Sequence, residues 1–350
     1  MLFRFDPEFV HDRFVKLGSL LGKFGIAKKI LSKLFVYEDG ILNQEILGIK
    51  FKNPIGLAAG FDKNAELTSV IPSIGFGHME VGSITNRPYK GNPKPRLWRL
   101  RGSKGLIVYY GLKNDGAEII SKKLNKNNFD IPISTSIAMT NCKENLDLQL
   151  ATKDYCDGFS KFVDIGDFFT VNISCPNTEG GQPFMDPQNL DFLLTSLDKI
   201  KTQKPIFIKI SPDIEIDKLD KILAVAKTHR VDGIICSNLT KNRDNPKIVE
   251  KNLVSKGGIS GKPVEDIANN LISQIYKKAG DRFVIIGCGG VFSAEDAYKK
   301  IRLGASLIHM ITGMIFEGPG VIKKINQGLA KLLREDGFKN IKEAIGIDTY

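Results

Sequence analysis

Four polar side chains follow one another closely at the end of a predicted buried strand. The apolar run DFFTVNIS (167–174) has the length of a strand, and Asn172, Ser174, Cys175 and Asn177 lie at or just beyond its end. A strand end needs none of these side chains for stability, so they are candidates for holding or attacking a ligand. A cysteine thiol can attack a ligand when its surroundings stabilise a sufficient fraction of the thiolate form. The alternative is a cysteine that simply packs in a core.

Seven further short apolar runs end in small or polar residues. They are PIGLAAG (54–60), HMEVGSIT (78–85), PISTSIA (132–138), PIFIKIS (205–211), VDGIICSN (231–238), FVIIGCGG (283–290) and SLIHMITG (306–313). Helical patterns separate most of them, so the sequence predicts an α/β fold, a (β/α)8 TIM barrel. A doubly wound sheet is the alternative, but eight strands over about 280 residues favour closure. The carboxyl ends of barrel strands converge on one face, where active sites lie.

Three glycine-rich segments occur late in the chain: KGGISGKP (256–263), IIGCGGV (285–291) and ITGMIFEGPG (311–320). Glycine lets backbone N–H groups approach an oxyanion closely, and the starts of helices add favourable dipoles. The last two segments follow the seventh and eighth strands, where barrels often bind a phosphate. Together they suggest a phosphorylated cofactor, with Lys63 and Lys209 available for the charge of its ring.

The first 36 residues differ from the rest of the chain. Apolar residues recur at helical spacing, Asp6-Pro7 is typical of a helix start, and Gly22 and Gly25 predict a break into two helices. The second helix, 26–35, carries three lysines around apolar residues, as helices on a membrane surface do. Packing of its apolar side on the main domain is the alternative. We expect an N-terminal helical extension at 1–38 and the barrel at 39–350.

Composition excludes several classes of protein. The five cysteines form no CxxC pair and no Cys/His spacing typical of a metal site, which predicts a reducing compartment and no metal. No run of 18 apolar residues is present, so no membrane span is expected. The net charge of +11 is compatible with nucleic acid, anionic lipid, an anionic small molecule or a lysine-rich surface.

The motifs together resemble one family. The chain is similar, from about residue 5 to about residue 335, to the dihydroorotate dehydrogenases, FMN-dependent barrel enzymes of pyrimidine synthesis. The similarity rests on FKNPIGLAAGFDKNAE (51–66), GFGHMEVGSIT (75–85), GNPKPRLWRL (91–100), VNISCPNT (171–178), KISPDI (209–214), GGISGKP (257–263), IIGCGGV (285–291) and GASLIHMITG (304–313). The segment DPEFVHDRF (6–14) is similar to the start of the quinone-using class, whose two-helix extension forms a quinone tunnel.

The resemblance implies an oxidoreductase that acts on a CH–CH group. It would oxidise (S)-dihydroorotate to orotate with FMN as hydride acceptor and quinone as final acceptor. Cys175 would be the base that removes the C5 proton opposite the flavin. The substrate would contact Lys63, Asn172, Asn177 and Asn238, and the loop 178–189 would close over it. The flavin would contact Ala59, Gly60, Lys63, Ser83, Asn172, Lys209 and Ser237, and its phosphate would contact Gly261, Gly290, Thr312 and Gly313.

The resemblance also implies where the protein works. Residues 1–36 would make peripheral contact with a membrane, on its cytoplasmic side or, in a eukaryote, at the mitochondrial inner membrane. No clear targeting segment is visible. We expect no nucleic-acid partner.

Several positions depart from the family pattern. The quinone-using class normally has serine where this chain has Cys175. The family segment LINRxGFNNxG is LIVYYGLKNDG (106–116), with Val108 for an orotate-binding asparagine and Tyr109 for arginine. Ser136 and Thr140 replace flavin-site asparagines, and Ile311 replaces a tyrosine.

These departures leave two alternatives open. One is a related FMN oxidoreductase with another substrate, or with fumarate or NAD as acceptor. The other is a flavin-binding protein without turnover, against which the retained Lys63, Cys175 and three asparagines argue.

Overall fold

A computed structural model describes residues 4–125 and 128–349. Its strands, in chain order, are β1 (Gln44–Ile46), β2 (Ile49–Phe51), β3 (Ile55–Leu57), β4 (His78–Thr85), β5 (Leu97–Leu100), β6 (Gly105–Val108), β7 (Ile133–Ala138), β8 (Phe168–Asn172), β9 (Ile206–Lys209), β10 (Gly233–Cys236), β11 (Gly258–Gly261), β12 (Val284–Cys288) and β13 (Leu307–Met310). Its helices are α1 (Pro7–Gly22), α2 (Gly25–Phe35), α3 (Ala117–Leu124), α4 (Leu148–Ser160), α5 (Pro187–Leu197), α6 (Ile216–Thr228), α7 (Glu265–Ala279), α8 (Ala294–Arg302), α9 (Thr312–Glu317) and α10 (Val321–Glu335).

Eight parallel strands close into a barrel in the order β3-β4-β7-β8-β9-β10-β12-β13. Each of the eight predicted runs contains one of these strands, and 78–85 is matched end to end by β4, so the predicted TIM barrel is confirmed. The strands are apolar because a barrel strand is covered on both faces, by helices outside and by side chains inside. The strands follow one another around the barrel in chain order. Because all eight are parallel, their carboxyl ends lie at the same face.

The two predicted N-terminal helices are present as α1 and α2. The Asp6 side chain accepts a hydrogen bond from the Phe9 N–H group at 2.8 Å, and the helices are separated at 22–25 as predicted. A buried ion pair links α1 to the residue that precedes β5: Arg96 Nη2 lies 2.7 Å from Glu8 Oε1. The division into domains at residue 38 stays a prediction.

The outer face of α1 and α2 is apolar. Of the sixteen exposed large hydrophobic side chains among the described residues, nine belong to residues 5–34. No buried residue is found in α2. No helix in the described ranges is both long and apolar enough to cross a bilayer. Leu31 of α2 is half-buried against the core, so packing on the main domain and contact with a membrane surface both stay open for 26–35.

A small antiparallel sheet, β5-β6-β11, was not predicted. Its strands are only four residues long, and β6 and β11 begin with glycine, so they give little signal in the sequence. Val108 ends β6 and pairs with Gly258, while Gly105 pairs with Gly261. The sheet therefore brings the 106–116 segment and a glycine-rich segment together beside the barrel.

Candidate active site

One large cavity lies at the carboxyl ends of the barrel strands. It holds about 1300 Å³ of space not filled by atoms, which includes open solvent at its mouth. Every site residue predicted from the sequence lines it: Ala59, Gly60, Lys63, Ser83, Asn172, Cys175, Asn177, Lys209, Ser237, Asn238, Gly261, Gly290, Thr312 and Gly313. The predicted substrate and flavin residues therefore surround one space.

The asparagines at the end of β8 belong to a buried hydrogen-bond network. Asn172 Nδ2 donates to Ser83 Oγ at 2.8 Å, and Asn172 Oδ1 accepts from the Ser174 backbone N–H group at 3.2 Å. Asn238 Nδ2 donates to Ser174 Oγ at 3.0 Å. These bonds fix which way each amide points before any ligand arrives, which is the preorganisation that a precise binding site requires.

Asn177 differs from the other two asparagines. Its Nδ2 donates to the Val108 carbonyl at 2.9 Å, but its Oδ1 is buried and has no hydrogen-bond partner within the described residues. Leaving a buried acceptor unpaired costs about 1–3 kcal/mol. A ligand N–H group in the cavity would recover that cost.

Cys175 lies on the cavity wall with an unfavourable environment for its thiolate. Burial raises the pKa of the thiol to about 11. A backbone hydrogen bond from Asn177 and the positive charges of Lys241 and Lys209 act in the opposite direction but are smaller effects. With that pKa, about one thiol in 10⁴ is ionised at pH 7. The resting site therefore holds a neutral thiol, in contrast to the thiolate-rich environment that a freely reactive cysteine has.

Two lysines line the cavity, the half-buried Lys63 in the segment after β3 and the buried Lys209 at the end of β9. Burial, aided by the charge of Lys113, lowers the pKa of Lys63 to about 8, and its Nζ lies 4.3 Å from the centre of the Tyr110 ring. Lys209 ends β9 and its Nζ lies 3.9 Å from Glu80 Oε2. Both are placed to meet an anionic ligand, which would also hold Lys63 in its charged form.

A side chain in place of a predicted site glycine would either enter the cavity or collide with the surrounding structure. Gly60 has φ +112°, and a Cβ built there would meet nothing closer than Ile311 Cδ1 at 3.7 Å, so it would project into the cavity. At Gly313 a Cβ would collide with the Val291 carbonyl oxygen. Thr312 and Gly313 begin α9, where the first N–H groups have no partner within the helix.

The positions that depart from the family pattern divide into two groups. Val108 and Ile311 line the cavity, whereas Tyr109 and Thr140 do not; Tyr110 and Lys113, from the same segment as Val108, line it as well. Thr140 Oγ1 donates to Asp154 instead, at 2.9 Å.

Ser136 also lies behind the cavity wall, where its hydroxyl is 2.8 Å from that of Ser83. Tyr110 is buried and its hydroxyl has no partner among the described residues.

Three wall residues with titratable side chains were missed from the sequence: His11 on α1, Cys288 on β12 and His309 on β13. His11 Nε2 donates to the Phe61 carbonyl at 2.9 Å. Burial, with the charge of Lys63, lowers the pKa of His11, so its ring is neutral. A polar residue inside an apolar strand run was the available signal for His309, whereas nothing in the sequence placed α1 against the barrel.

Comparisons with known proteins agree with this geometry. A family model described as dihydroorotate dehydrogenase matches residues 41–333. A relative from Nostoc punctiforme named dihydroorotate dehydrogenase (quinone) is 38% identical, over 98% of this chain and 94% of its own length. A relative of the same name from Haloarcula marismortui is 36% identical, over 91% of this chain and 89% of its own.

A solved structure has the same fold. DHODH from Eimeria tenella, crystallised in complex with ferulenol, superimposes with a TM-score of 0.88 at 29% identity. The match covers 98% of this chain and 96% of that one. By its barrel, its cavity and its sequence, the chain belongs to the dihydroorotate dehydrogenase family.

Proposed function

We propose that this protein oxidises (S)-dihydroorotate to orotate with FMN as hydride acceptor and passes the electrons to a quinone, a step of de novo pyrimidine synthesis. The observation that carries the proposal is the single cavity that gathers every predicted substrate and flavin residue. The names of the relatives, dihydroorotate dehydrogenase (quinone), support both the substrate and the acceptor.

The cavity has the features that FMN requires. Gly60, with open space where a side chain would stand, accommodates a flat ring. Gly261, Gly290, Thr312 and Gly313 provide a glycine-rich wall for a phosphate, near the start of α9. Lys209 supplies a positive charge for the flavin ring. When bound, FMN supplies the acceptor for the hydride that leaves C6 of the substrate.

The chain's own residues have two tasks in the reaction. Asn172 and Asn238, fixed by their serine partners, and Asn177, with its unpaired oxygen, hold the substrate ring. Cys175 removes the proton from C5. A thiol that is neutral at rest performs this step only in its ionised fraction, so the positive charges of Lys209 and Lys241 favour the reaction by favouring the thiolate.

The pH dependence of flavin reduction tests this role of Cys175. Because the pKa of the thiol is raised to about 11, the ionised fraction, and with it the rate, should rise with pH throughout pH 7–10. Cys175→Ser should shift the rise to higher pH, since a hydroxyl is a weaker acid than a thiol. Cys175→Ala should be roughly 10²–10⁴-fold slower than the unchanged protein.

Anaerobic stopped-flow bleaching of the flavin by dihydroorotate is the measurement. The flavin spectrum of each variant shows that FMN is still bound. An Ala variant that reduces its flavin at the unchanged rate would show that Cys175 is not the base.

A related FMN oxidoreductase with another substrate remains the second candidate, because Val108 presents an apolar side chain to the cavity. Tyr110 compensates for the lost amide if dihydroorotate is the substrate. Restoring the amide with Val108→Asn should then tighten orotate binding by about 1 kcal/mol, the net contribution of one hydrogen bond. Orotate affinity is measured from the spectral shift of the bound flavin.

The matched comparison is Tyr110→Phe, which removes only the hydroxyl and should weaken orotate. Dihydroorotate should also bleach the flavin of the unchanged protein. If the flavin is present but neither bleaching nor millimolar orotate binding occurs, the second candidate is correct. A protein that cannot be loaded with FMN contradicts both.

The quinone would reach the flavin from the N-terminal helices. His11 of α1 lines the cavity together with Phe61 and Leu97, so the cavity extends from the strand ends to α1. The exposed apolar face of α1 and α2 lies beside Lys28, Lys29 and Lys33. We propose that this face rests on a membrane, on its cytoplasmic side or on the mitochondrial inner membrane in a eukaryote, and receives quinone from the lipid.

Charges on the exposed face should disrupt this contact without disturbing the barrel. Ile30 and Leu34 of α2 are 54% and 58% exposed, so Ile30→Glu with Leu34→Glu should leave flavin reduction unchanged. The pair should lower both binding to anionic lipid vesicles and reduction of a lipid-dissolved quinone by at least tenfold, since charged side chains resist burial in lipid.

The control is Leu146→Glu with Leu150→Glu, at positions 60% and 50% exposed that lie outside α1 and α2. That pair should bind vesicles normally. Equal vesicle binding and equal quinone reduction by the two double variants would mean that α2 is not the membrane contact. Rapid turnover with fumarate or NAD in place of quinone would assign a different electron acceptor.

A further inference from the structure

A buried carboxylate lies inside the barrel, behind the wall of the cavity. Glu80 is the third residue of β4 and is 0% exposed. The layer of side chains toward the other end of the barrel is apolar and includes Phe168, Phe207 and Leu307. An ionised carboxylate in such a place is strongly unfavourable unless a charge or donor compensates for its lost hydration.

Glu80 connects two residues of the cavity wall. Its Oε2 accepts a hydrogen bond from the Ala59 N–H group at 3.1 Å and lies 3.9 Å from Lys209 Nζ. Ala59 and Lys209 stand on β-strand ends far apart in the chain, and both are predicted to contact the flavin. Glu80 Oε1 has no hydrogen-bond partner within the described residues. The structure therefore provides one charged partner for the carboxylate, at the distance of a loose ion pair.

The two histidines next to Glu80 do not balance its charge. His309 Nδ1 lies 3.7 Å from Glu80 Oε2, too far for a hydrogen bond, and the His78 and His309 rings are 5.0 Å apart. Both rings are 0% exposed, and their nitrogens have no hydrogen-bond partners among the described residues. Burial lowers the pKa of both imidazoles well below the ordinary histidine value, so both are neutral. Lys209 is the cation that the structure places against Glu80.

We propose that Glu80 is a positioning residue that holds Lys209 and the Ala59 amide against the flavin and, by offsetting the charge of Lys209, sets the reduction potential of the bound cofactor. The inference rests on the proposed function, because it requires FMN in the cavity. Glu80 itself does not line the cavity and acts through its two partners.

The sign of the effect follows from electrostatics. Transfer of a hydride makes the flavin ring more negative, so a nearby cation favours the reduced form and a nearby anion opposes it. In a buried site these interactions are only weakly screened. Removing the charge of Glu80 leaves Lys209 unopposed and favours reduced flavin, whereas removing the charge of Lys209 leaves an unpaired anion and favours oxidised flavin.

Glu80→Gln in the full chain loaded with FMN is the first test. At a fixed solution potential, set with a redox dye, the ratio of reduced to oxidised flavin should rise on the order of tenfold, as expected for one buried charge. His78→Gln is the matched control, since it alters a neutral neighbour of the same carboxylate that does not line the cavity, and its ratio should stay within about twofold of the unchanged protein. A Glu80→Gln protein that holds FMN with an unchanged or lower ratio would overturn the inference.

If Glu80→Gln alone does not fold, a second pair of variants tests whether Glu80 and Lys209 are coupled. Lys209→Met leaves the Glu80 carboxylate buried without its cation, so FMN affinity and the reduced fraction should both fall. Adding Glu80→Gln to Lys209→Met should restore part of both, because it removes the unpaired charge. Equal FMN affinity and equal potential in the single and double variants would show that the two residues are not coupled.

FMN binding by the unchanged protein distinguishes a failure of this inference from a failure of the proposed function. If it does not bind FMN, the proposed function is wrong. If it binds FMN normally while the Glu80 and Lys209 variants behave independently, only the role of Glu80 is wrong.

Discussion

Closure of the eight parallel strands is the constraint on which the site depends. Side chains at the ends of β3, β4, β8, β9 and β10 come from segments up to 180 residues apart, and only a closed barrel in chain order brings them to one face. The small sheet β5-β6-β11 and helix α1 add walls that the barrel alone lacks, Val108 and Gly261 from the sheet and His11 from the helix. One cavity lined by all the predicted cofactor and substrate residues is the result.

The same burial that shapes the cavity opposes charge inside it. It lowers the pKa of Lys63 to about 8 and raises that of Cys175 to about 11, so each group moves toward its neutral form. An anionic substrate and cofactor would reverse the first shift by pairing with the lysines. The proposed chemistry therefore depends on ligands to complete the electrostatics, which suits an enzyme whose base should be inactive in an empty site.

The sequence predicted the barrel well because parallel strands covered on both faces form largely apolar runs next to glycine or proline, as at 284–288, which Gly289 follows. The location of all predicted site residues in one cavity follows from that topology and from the family motifs. The sheet β5-β6-β11 was missed because its strands are short and partly glycine. Glu80 and His309 were overlooked because periodicity assigns inward side chains to the core without indicating which polar ones meet across the barrel. The serine partners of Asn172 and Asn238 depend on distances between strands that no local pattern contains.

A crystal structure of the protein with FMN and orotate would test the central claim most directly, that one cavity places the substrate between flavin and thiol. We expect orotate to stack on the flavin ring and to donate a hydrogen bond to Asn177 Oδ1. Cys175 Sγ should lie within about 3.5 Å of orotate C5, the separation of reacting atoms, on the face away from the flavin. Orotate bound elsewhere, or a Cys175 sulfur turned away from the ring, would contradict it.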